Sequence, residues 1–160
     1  MQDAAAIRIR DAQFEDWPCI ADFNRRLAFE TESRELERST VEAGVRAVLT
    51  NPQRGRYFVA ECRGAPVGQL MCTHEWSDWR NGDFWWIQSV YVAEGHRRRG
   101  VFRMLWEHVR AAAASDPEVV GLRLYAEQHN ETALQSYERL GLDRTGYLVL
   151  EHMLRPRLKG

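Results

Sequence analysis

The sequence predicts a mixed α/β fold: a mixed, mostly antiparallel central sheet with helices on both faces. Three observations carry this expectation. The runs Tyr57-Phe58-Val59-Ala60 and Pro66 to Cys72, separated by Arg63-Gly64, read as an antiparallel hairpin. The stretch from Trp85 to Tyr125 reads strand, helix, strand, and such a unit makes a parallel pair with a right-handed crossover. Helical segments with a single apolar stripe lie before and after these strands. A sheet bounded in this way is covered on both sides.

Taken in order, Ile7-Arg8-Ile9-Arg10 alternates and predicts a first strand. Asp16 opens a helix running to about Phe29, with Ile20, Phe23 and Leu27 on one stripe and Pro18 tolerated in the first turn. Thr40 is the candidate cap of a second, shorter helix whose apolar face is Val41, Val45, Val48 and Leu49, closed by Asn51-Pro52. The hairpin follows. Four of the six Trp residues fall between Thr73 and Val92: Trp76 and Trp79, then Trp85 and Trp86, with Arg80-Asn81-Gly82-Asp83 as a turn between the pairs. Trp85 to Val92 is a strand. Gly100 to about Ala114 is a helix that buries Phe102, Leu105, Trp106 and Val109 and stops at Ser115-Asp116-Pro117. Val119 to Tyr125 is a strand, and Asn130 to Leu140 a helix capped by Gly141. Tyr147 to Leu150 predicts a late strand, with Met153 as its far limit. No repeat or linker interrupts the chain, so residues 1–160 are expected to form a single domain.

Bulk properties narrow the function. A chain of 160 residues buries a core without disulfides or a structural metal. A formal net charge of −1 gives no global case for nucleic acid. Lys159 is the only lysine among the basic residues. No run approaches the ~18 apolar residues of a membrane span, and residues 1–20 carry Asp and Glu with no long apolar run, which argues against a signal peptide. Cys19, Cys62 and Cys72 are odd in number and lack metal spacing, as expected of reduced cysteines in a cytoplasmic protein. His74, His96, His108, His129 and His152 show no ligand spacing, so no metal is expected.

The chemistry concentrates in Val90-Tyr91-Val92-Ala93-Glu94-Gly95-His96-Arg97-Arg98-Arg99-Gly100-Val101-Phe102. A strand ends, a basic loop follows and a helix begins. Amides exposed at such a helix start hold an anion, Gly100 admits a close approach to the backbone, and arginines add phosphate-binding charge. A solvated charge run before an ordinary helix is the alternative. Neither a G-x-x-x-x-G-K-[ST] nor a G-x-G-x-x-G motif is present.

Arg97-Arg98-Arg99-Gly100-Val101-Phe102 resembles the Gln/Arg-x-x-Gly-x-Gly/Ala acetyl-CoA motif of the GCN5-related N-acetyltransferase superfamily, with Phe102 in place of a small residue. The segment Asn130 to Leu142 resembles its Asn-x-x-Ala-x-x-x-Tyr-x-x-x-Gly-Phe pattern, with Leu142 in place of the aromatic. The resemblance implies the acyl-CoA N-acyltransferase fold, in which a parallel strand pair splays and pantetheine inserts between its members. It implies acetyl-CoA as acyl donor, bound by the backbone of Val90, Tyr91 and Val92, by residues Arg97 to Phe102, and near Asn130. It also implies that Tyr137 protonates the departing thiolate. Taken without the resemblance, Asn130 reads as a helix cap and Tyr137 as a core aromatic.

The implied reaction is direct attack of a primary amine on the thioester in a ternary complex, the acceptor being a small-molecule amine. Gln88 stands where the family often places a carboxylate, and an amide is no base at neutral pH. Glu75 is the candidate general base, ahead of Asp78, Glu30 and Glu32, while Glu30, Glu32, Trp79 and Gln88 are candidate acceptor contacts. Adjacent strand residues face opposite ways, so Trp85 and Trp86 are expected on different sides of the sheet. The aromatic hairpin also suits a homodimer interface. Protein N-terminal or lysine acetylation, and a non-catalytic acetyl-CoA-binding regulator, are the competing readings.

Overall fold

The computed structural model describes residues 6–155. Residues 1–5, part of the stretch read against a signal peptide, and Lys159 lie outside that range. Five strands form one sheet in chain order: β1 (Ile7–Asp11), β2 (Arg56–Cys62), β3 (Ala65–Ser77), β4 (Gly82–Val92) and β5 (Val119–Leu124). The first four are mutually antiparallel, and β4–β5 is the parallel pair. Among the described residues four α-helices surround the sheet: α1 (Trp17–Glu32), α2 (Arg38–Thr50), α3 (Val101–Ser115) and α4 (Glu131–Arg139).

Period-two alternation divides the strands between two cores. Phe58, Ala60, Leu70, Cys72, Trp85 and Ile87 face α3, where Val101, Leu105, Trp106 and Val109 are buried against them, and Leu140 and Leu142 join this core after α4. Tyr57 and Val59 face Ile20 and Ala21 of α1 and Val45 of α2 on the other side. Burying a side chain such as Leu105 stabilises the fold by about 1.5–3 kcal/mol. At Gly68 the fit between β3 and α3 is close: a Cβ there would stand 3.1 Å from Val101 and 3.2 Å from the Tyr91 carbonyl.

The boundaries differ from expectation in instructive ways. α1 runs three residues past Phe29, to Glu32, and closes when Ser33 turns left-handed. The amides of Ser33 and Arg34 then bond back to the Phe29 and Ala28 carbonyls. The cap of α2 is Glu37, not Thr40: its carboxylate accepts from the Ser39 and Thr40 amides and from both hydroxyls. Those bonds hold the Glu37 carboxyl at about 2. The aromatic hairpin is longer than predicted, β3 reaching Ser77 and β4 starting at Gly82.

The predicted strand from Tyr147 to Leu150 is absent; residues 147–150 join no ladder. The expectation rested on β-forming residues alone, and a strand needs an edge to pair with. Instead Tyr147, Leu148 and Leu150 are at least 80% exposed.

Candidate active site

β4 carries the site because its two neighbours treat it differently. Towards β3, Gln69 pairs with Tyr91 and Met71 with Gln88, so Leu70 alone opposes Ser89 and Val90. This is a β-bulge with its extra residue on β4. Ser89 takes φ +51°, a left-handed conformation that costs a non-glycine residue about 1–2 kcal/mol. A buried polar chain holds it there. Gln69 is 0% exposed, and its Nε2 donates to the Ser89 carbonyl (3.1 Å) and to Asn24 Oδ1 (2.7 Å). Asn24 Nδ2 donates to Tyr57 Oη (3.0 Å), and burial pushes the Tyr57 phenol upward.

Towards β5, pairing ends at Ile87 and Leu124, while β4 continues to Val92. From Gln88 onward that side of β4 has no ladder partner among the described residues, so the parallel pair opens beside the bulge. Val90 and Tyr91 border the opening. The Val92 carbonyl is already engaged, accepting from Arg97 Nε (2.8 Å).

The loop after β4 leads directly into α3. Arg98 (φ +61°) and Gly100 (φ +77°) are both left-handed. Alternating handedness turns successive amides into one anion-binding concavity. Gly100 is the residue preceding α3 and has no side chain with which to cap it. The first intrahelical bond runs from the Met104 amide to the Gly100 carbonyl. The amides of Val101, Phe102 and Arg103 therefore have no intrahelical acceptor, at the positive end of the helix dipole.

Phe102 does not cover these amides. Its ring packs against the core and meets Tyr137 edge-on. Arg98 and Arg99 are exposed. Arg97 is tied inward: its guanidinium pairs with Glu30 (2.6 Å), whose other oxygen accepts from Tyr91 Oη (3.1 Å). Asn130 caps α4 by accepting from the Ala133 amide (3.2 Å). Two turns on, burial pushes the Tyr137 phenol above its usual 10.

On the opposite face lies a cleft of about 510 Å³ between α1, α2 and the sheet. Leu27, Val41, Val45 and Val48 form aliphatic walls. Asn24, Tyr57 and Ser89 supply a polar floor, and Glu32 and Arg34 also line the cleft. The bulge thus borders both the strand opening and this cleft.

The other residues singled out in the sequence fall apart from the cleft. Glu75 accepts from Trp86 Nε1 with one oxygen and from Arg123 (2.8 Å) with the other. It pairs across the hairpin with Phe84, and Phe84 to Ser89 is about 17 Å along a strand. Arg123 lies over the Phe84 ring, 3.6 Å from its centroid, and Trp86 lies 4.6 Å from Tyr125. Trp79 is 86% exposed at the hairpin tip. Gln88 donates to Thr73 Oγ1 across the hairpin. Trp85 stacks on His74 on the α3 side and is buried, so Trp85 and Trp86 do face opposite ways. Cys72 is buried and its thiol pushed up to about 12, which leaves it no part as a nucleophile near neutral pH.

Sequence reasoning missed Asn24, Tyr57, Gln69 and Ser89. A signal was present: Asn24 interrupts the apolar stripe of α1, and Gln69 stands inside the run from Val67 to Cys72. A polar residue where burial is forecast must find a hydrogen-bonding partner.

Residues 8–142 match the family model described as the acetyltransferase (GNAT) family. Among solved structures, a possible acetyltransferase from Clostridium difficile 630 is 42% identical, with a TM-score of 0.89 over 93% of this chain and 98% of that one. A predicted acetyltransferase with acetyl-CoA from Clostridium acetobutylicum shares the fold at 16% identity, with a TM-score of 0.74 over 91% of this chain and 96% of that one. An aminoglycoside N-acetyltransferase in complex with CoA shares it at 13% identity, with a TM-score of 0.78 over 97% of this chain and 99% of that one. Among curated proteins none matches the chain significantly. The chain belongs to the GNAT acetyltransferase family. Among the described residues no helix is long and apolar enough to cross a membrane, and no cluster of His, Cys, Asp and Glu has the form of a metal site.

Proposed function

We propose that the protein is an acetyl-CoA-dependent N-acetyltransferase acting on a small primary amine. The observation that carries this is the convergence of three features at one point of β4: the strand opening, the anion-binding loop ahead of α3, and the α1–α2 cleft. A long donor with an anionic end fits the first two. The amides of Val101, Phe102 and Arg103, with Arg98 and Arg99 beside them, would hold its pyrophosphate, and the opened edge of β4 at Val90 and Tyr91 would pair with its amide-bearing arm. Acetyl-CoA supplies the activated acyl group. Asn130 fixes the start of α4, and Tyr137, held protonated by burial, gives a proton to the departing sulfur.

The acceptor enters from the opposite face. Aliphatic walls pack on the carbon skeleton of the amine, while the Tyr57, Ser89 and Asn24 floor orients the nitrogen beside the bulge. Glu32 attracts the ammonium form and receives its proton through water, leaving the neutral amine to attack. Glu75 serves a different end: bound by Trp86 and Arg123, it fixes the far wall of the sheet. A cleft of about 510 Å³ has the size of a small-molecule site, which favours a small amine over a protein segment.

The test is acetyl-CoA turnover across an amine panel, detected as free thiol. Turnover with at least one small amine, and a several-fold higher KM for it in Glu32→Gln at unchanged acetyl-CoA affinity, is expected. Tight donor binding without turnover on any amine would refute catalysis. Acceptance of peptides alone would refute the small-molecule assignment.

A further inference from the structure

The polar floor of the α1–α2 cleft has a fixed hydrogen-bonding sense, which can be followed outward from one backbone atom. The Ser89 carbonyl can only accept. Gln69 must therefore turn Nε2 towards it (3.1 Å), and the same nitrogen donates to Asn24 Oδ1 (2.7 Å). The reverse orientation would set two carbonyl oxygens against each other. The orientation adopted leaves the buried Gln69 Oε1 without a partner among the described residues. The bonds to Ser89 and Asn24 decide it. With Oδ1 turned to Gln69, Asn24 presents Nδ2 to Tyr57 Oη (3.0 Å).

The Tyr57 oxygen is thus an acceptor within this chain. The Ser89 side chain acts on it in the same sense as Asn24, both opposing the upward push that burial gives the phenol. The phenol's own proton is left over: Tyr57 donates to none of the described residues. Burial keeps that proton in place at neutral pH. Tyr57 lines the cleft, so the floor offers a donor. An ammonium has no lone pair for it, and a neutral amine needs its single lone pair for attack. The group that satisfies this donor is an oxygen of the acceptor molecule, carried beside the reacting nitrogen. Holding that oxygen is how the floor orients the nitrogen.

The same cleft carries one charge of each sign. At the end of α1, Ser33 (φ +50°) turns the chain, and Glu32 and Arg34 on either side of it both line the cleft. Neither makes an ion pair among the described residues. The charged groups near them in the chain are engaged elsewhere: Glu30 with Arg97 (2.6 Å), Arg38 with Glu42 (2.7 Å) and Glu37 with the amides that open α2. We propose that the acceptor is an amino acid with an apolar side chain. Its carboxylate takes the Tyr57 hydroxyl and pairs with Arg34, Glu32 draws its ammonium, and its side chain lies between Leu27, Val41 and Val48. A carboxylate has lone pairs for a phenol and a guanidinium at once. Fixing it fixes the nitrogen one carbon away. This rests on the amine-acetylation reading above and names its substrate class.

The experiment compares three acceptors of one carbon skeleton: leucine, leucinol and 3-methylbutylamine, which lack in turn nothing, the charge and the oxygen. Binding to the full chain in the presence of CoA is read by calorimetry, and acetylation by acetyl-CoA as free thiol. Leucine is expected to bind about 100-fold more tightly than 3-methylbutylamine, with leucinol between them. Arg34→Gln should bring leucine down to leucinol, and Tyr57→Phe should bring leucinol down to 3-methylbutylamine. Arg34 is exposed, so its variant decides the matter if Tyr57→Phe fails to fold. Leucine that does not bind, 3-methylbutylamine that binds as tightly as leucine, or an Arg34→Gln variant that keeps the full preference for leucine would each overturn the proposal. Acetylation of 3-methylbutylamine in preference to leucine would overturn the substrate class and leave amine acetylation standing. The expected binding order with no acceptor turned over would support the amino-acid site and refute catalysis.

Discussion

The ring of Phe102, in the first turn of α3, meets the ring of Tyr137 in α4 edge-on, their centroids 6.0 Å apart. This contact couples the loop suited to an anion to the phenol suited to proton donation. It also turns the bulky Phe102 side chain away from its own amide, so the loop tolerates a large residue where the family usually has a small one. Tyr137→Phe keeps the ring contact and removes only the hydroxyl. Its kcat is expected to fall by about 10²-fold, at the low end of general-acid effects, with acetyl-CoA affinity unchanged by calorimetry. Unaltered turnover would remove Tyr137 from the chemistry.

Gly100 sits at φ +77°, and no atom lies within 4 Å of where a Cβ would be. Space is not the constraint there; backbone conformation is. Gly100→Ala is expected to lower stability by about 1 kcal/mol through the left-handed backbone it must adopt, visible as a lower Tm, and to weaken donor binding by moving the first-turn amides. A variant with lower stability but full acetyl-CoA affinity would show that those amides do not hold the donor.

Gln69→Ala removes the buried amide that donates to the Ser89 carbonyl and to Asn24 Oδ1. Unfolding free energy is expected to drop by about 2–3 kcal/mol in urea titration. If the bulge positions the donor, kcat falls as well, whereas a purely structural role leaves turnover intact below the shifted Tm.

Glu75→Gln retains an acceptor for Trp86 Nε1 and removes the charge paired with Arg123. If the base lies elsewhere, turnover is expected to fall no more than a few-fold at neutral pH, and the acidic limb of the kcat/KM profile stays in place. A drop of about 10²-fold or more, the scale of general-base loss, would restore Glu75 as the base.

Acid stability follows from the Glu37 cap. Its carboxyl titrates at about 2 when folded against an ordinary 4.5. A lowered folded value contributes stability that is present above 4.5 and is lost as pH falls through about 2. Asp11, lowered by its bond to Arg56, acts in the same direction. The Tm of the unmodified chain is therefore expected to fall across this window, and that of Glu37→Gln to fall less steeply.

Much of this was legible in the sequence, and the parts that were not share a cause. The glycine at the start of α3, the Asn130 cap and the Tyr137 position are local, and local spacing reveals them. The division of Trp85 from Trp86 needs only strand alternation. The long-range partners are another matter. Spacing does not show that Arg123 of β5 pairs with Glu75, or that Arg97 and Tyr91 bond the two oxygens of Glu30. The chain from Gln69 through Asn24 to Tyr57 joins three elements and has no motif. The segment at Tyr147 has the composition of a strand, but composition does not supply an edge to pair with.

Gly68 places all of this on a mechanical footing. With no side chain between β3 and α3, Val101 rests almost on the backbone of the sheet, beside the Tyr91 carbonyl. The thickness of a single hydrogen atom at position 68 therefore sets the height of the helix start above β4. A methyl group there would act as a shim, lifting the Val101 end of α3 by a few tenths of an ångström relative to the strand opening. If the donor lies in the strand opening as proposed, its fit is set from beneath, at a residue on the far side of Val101.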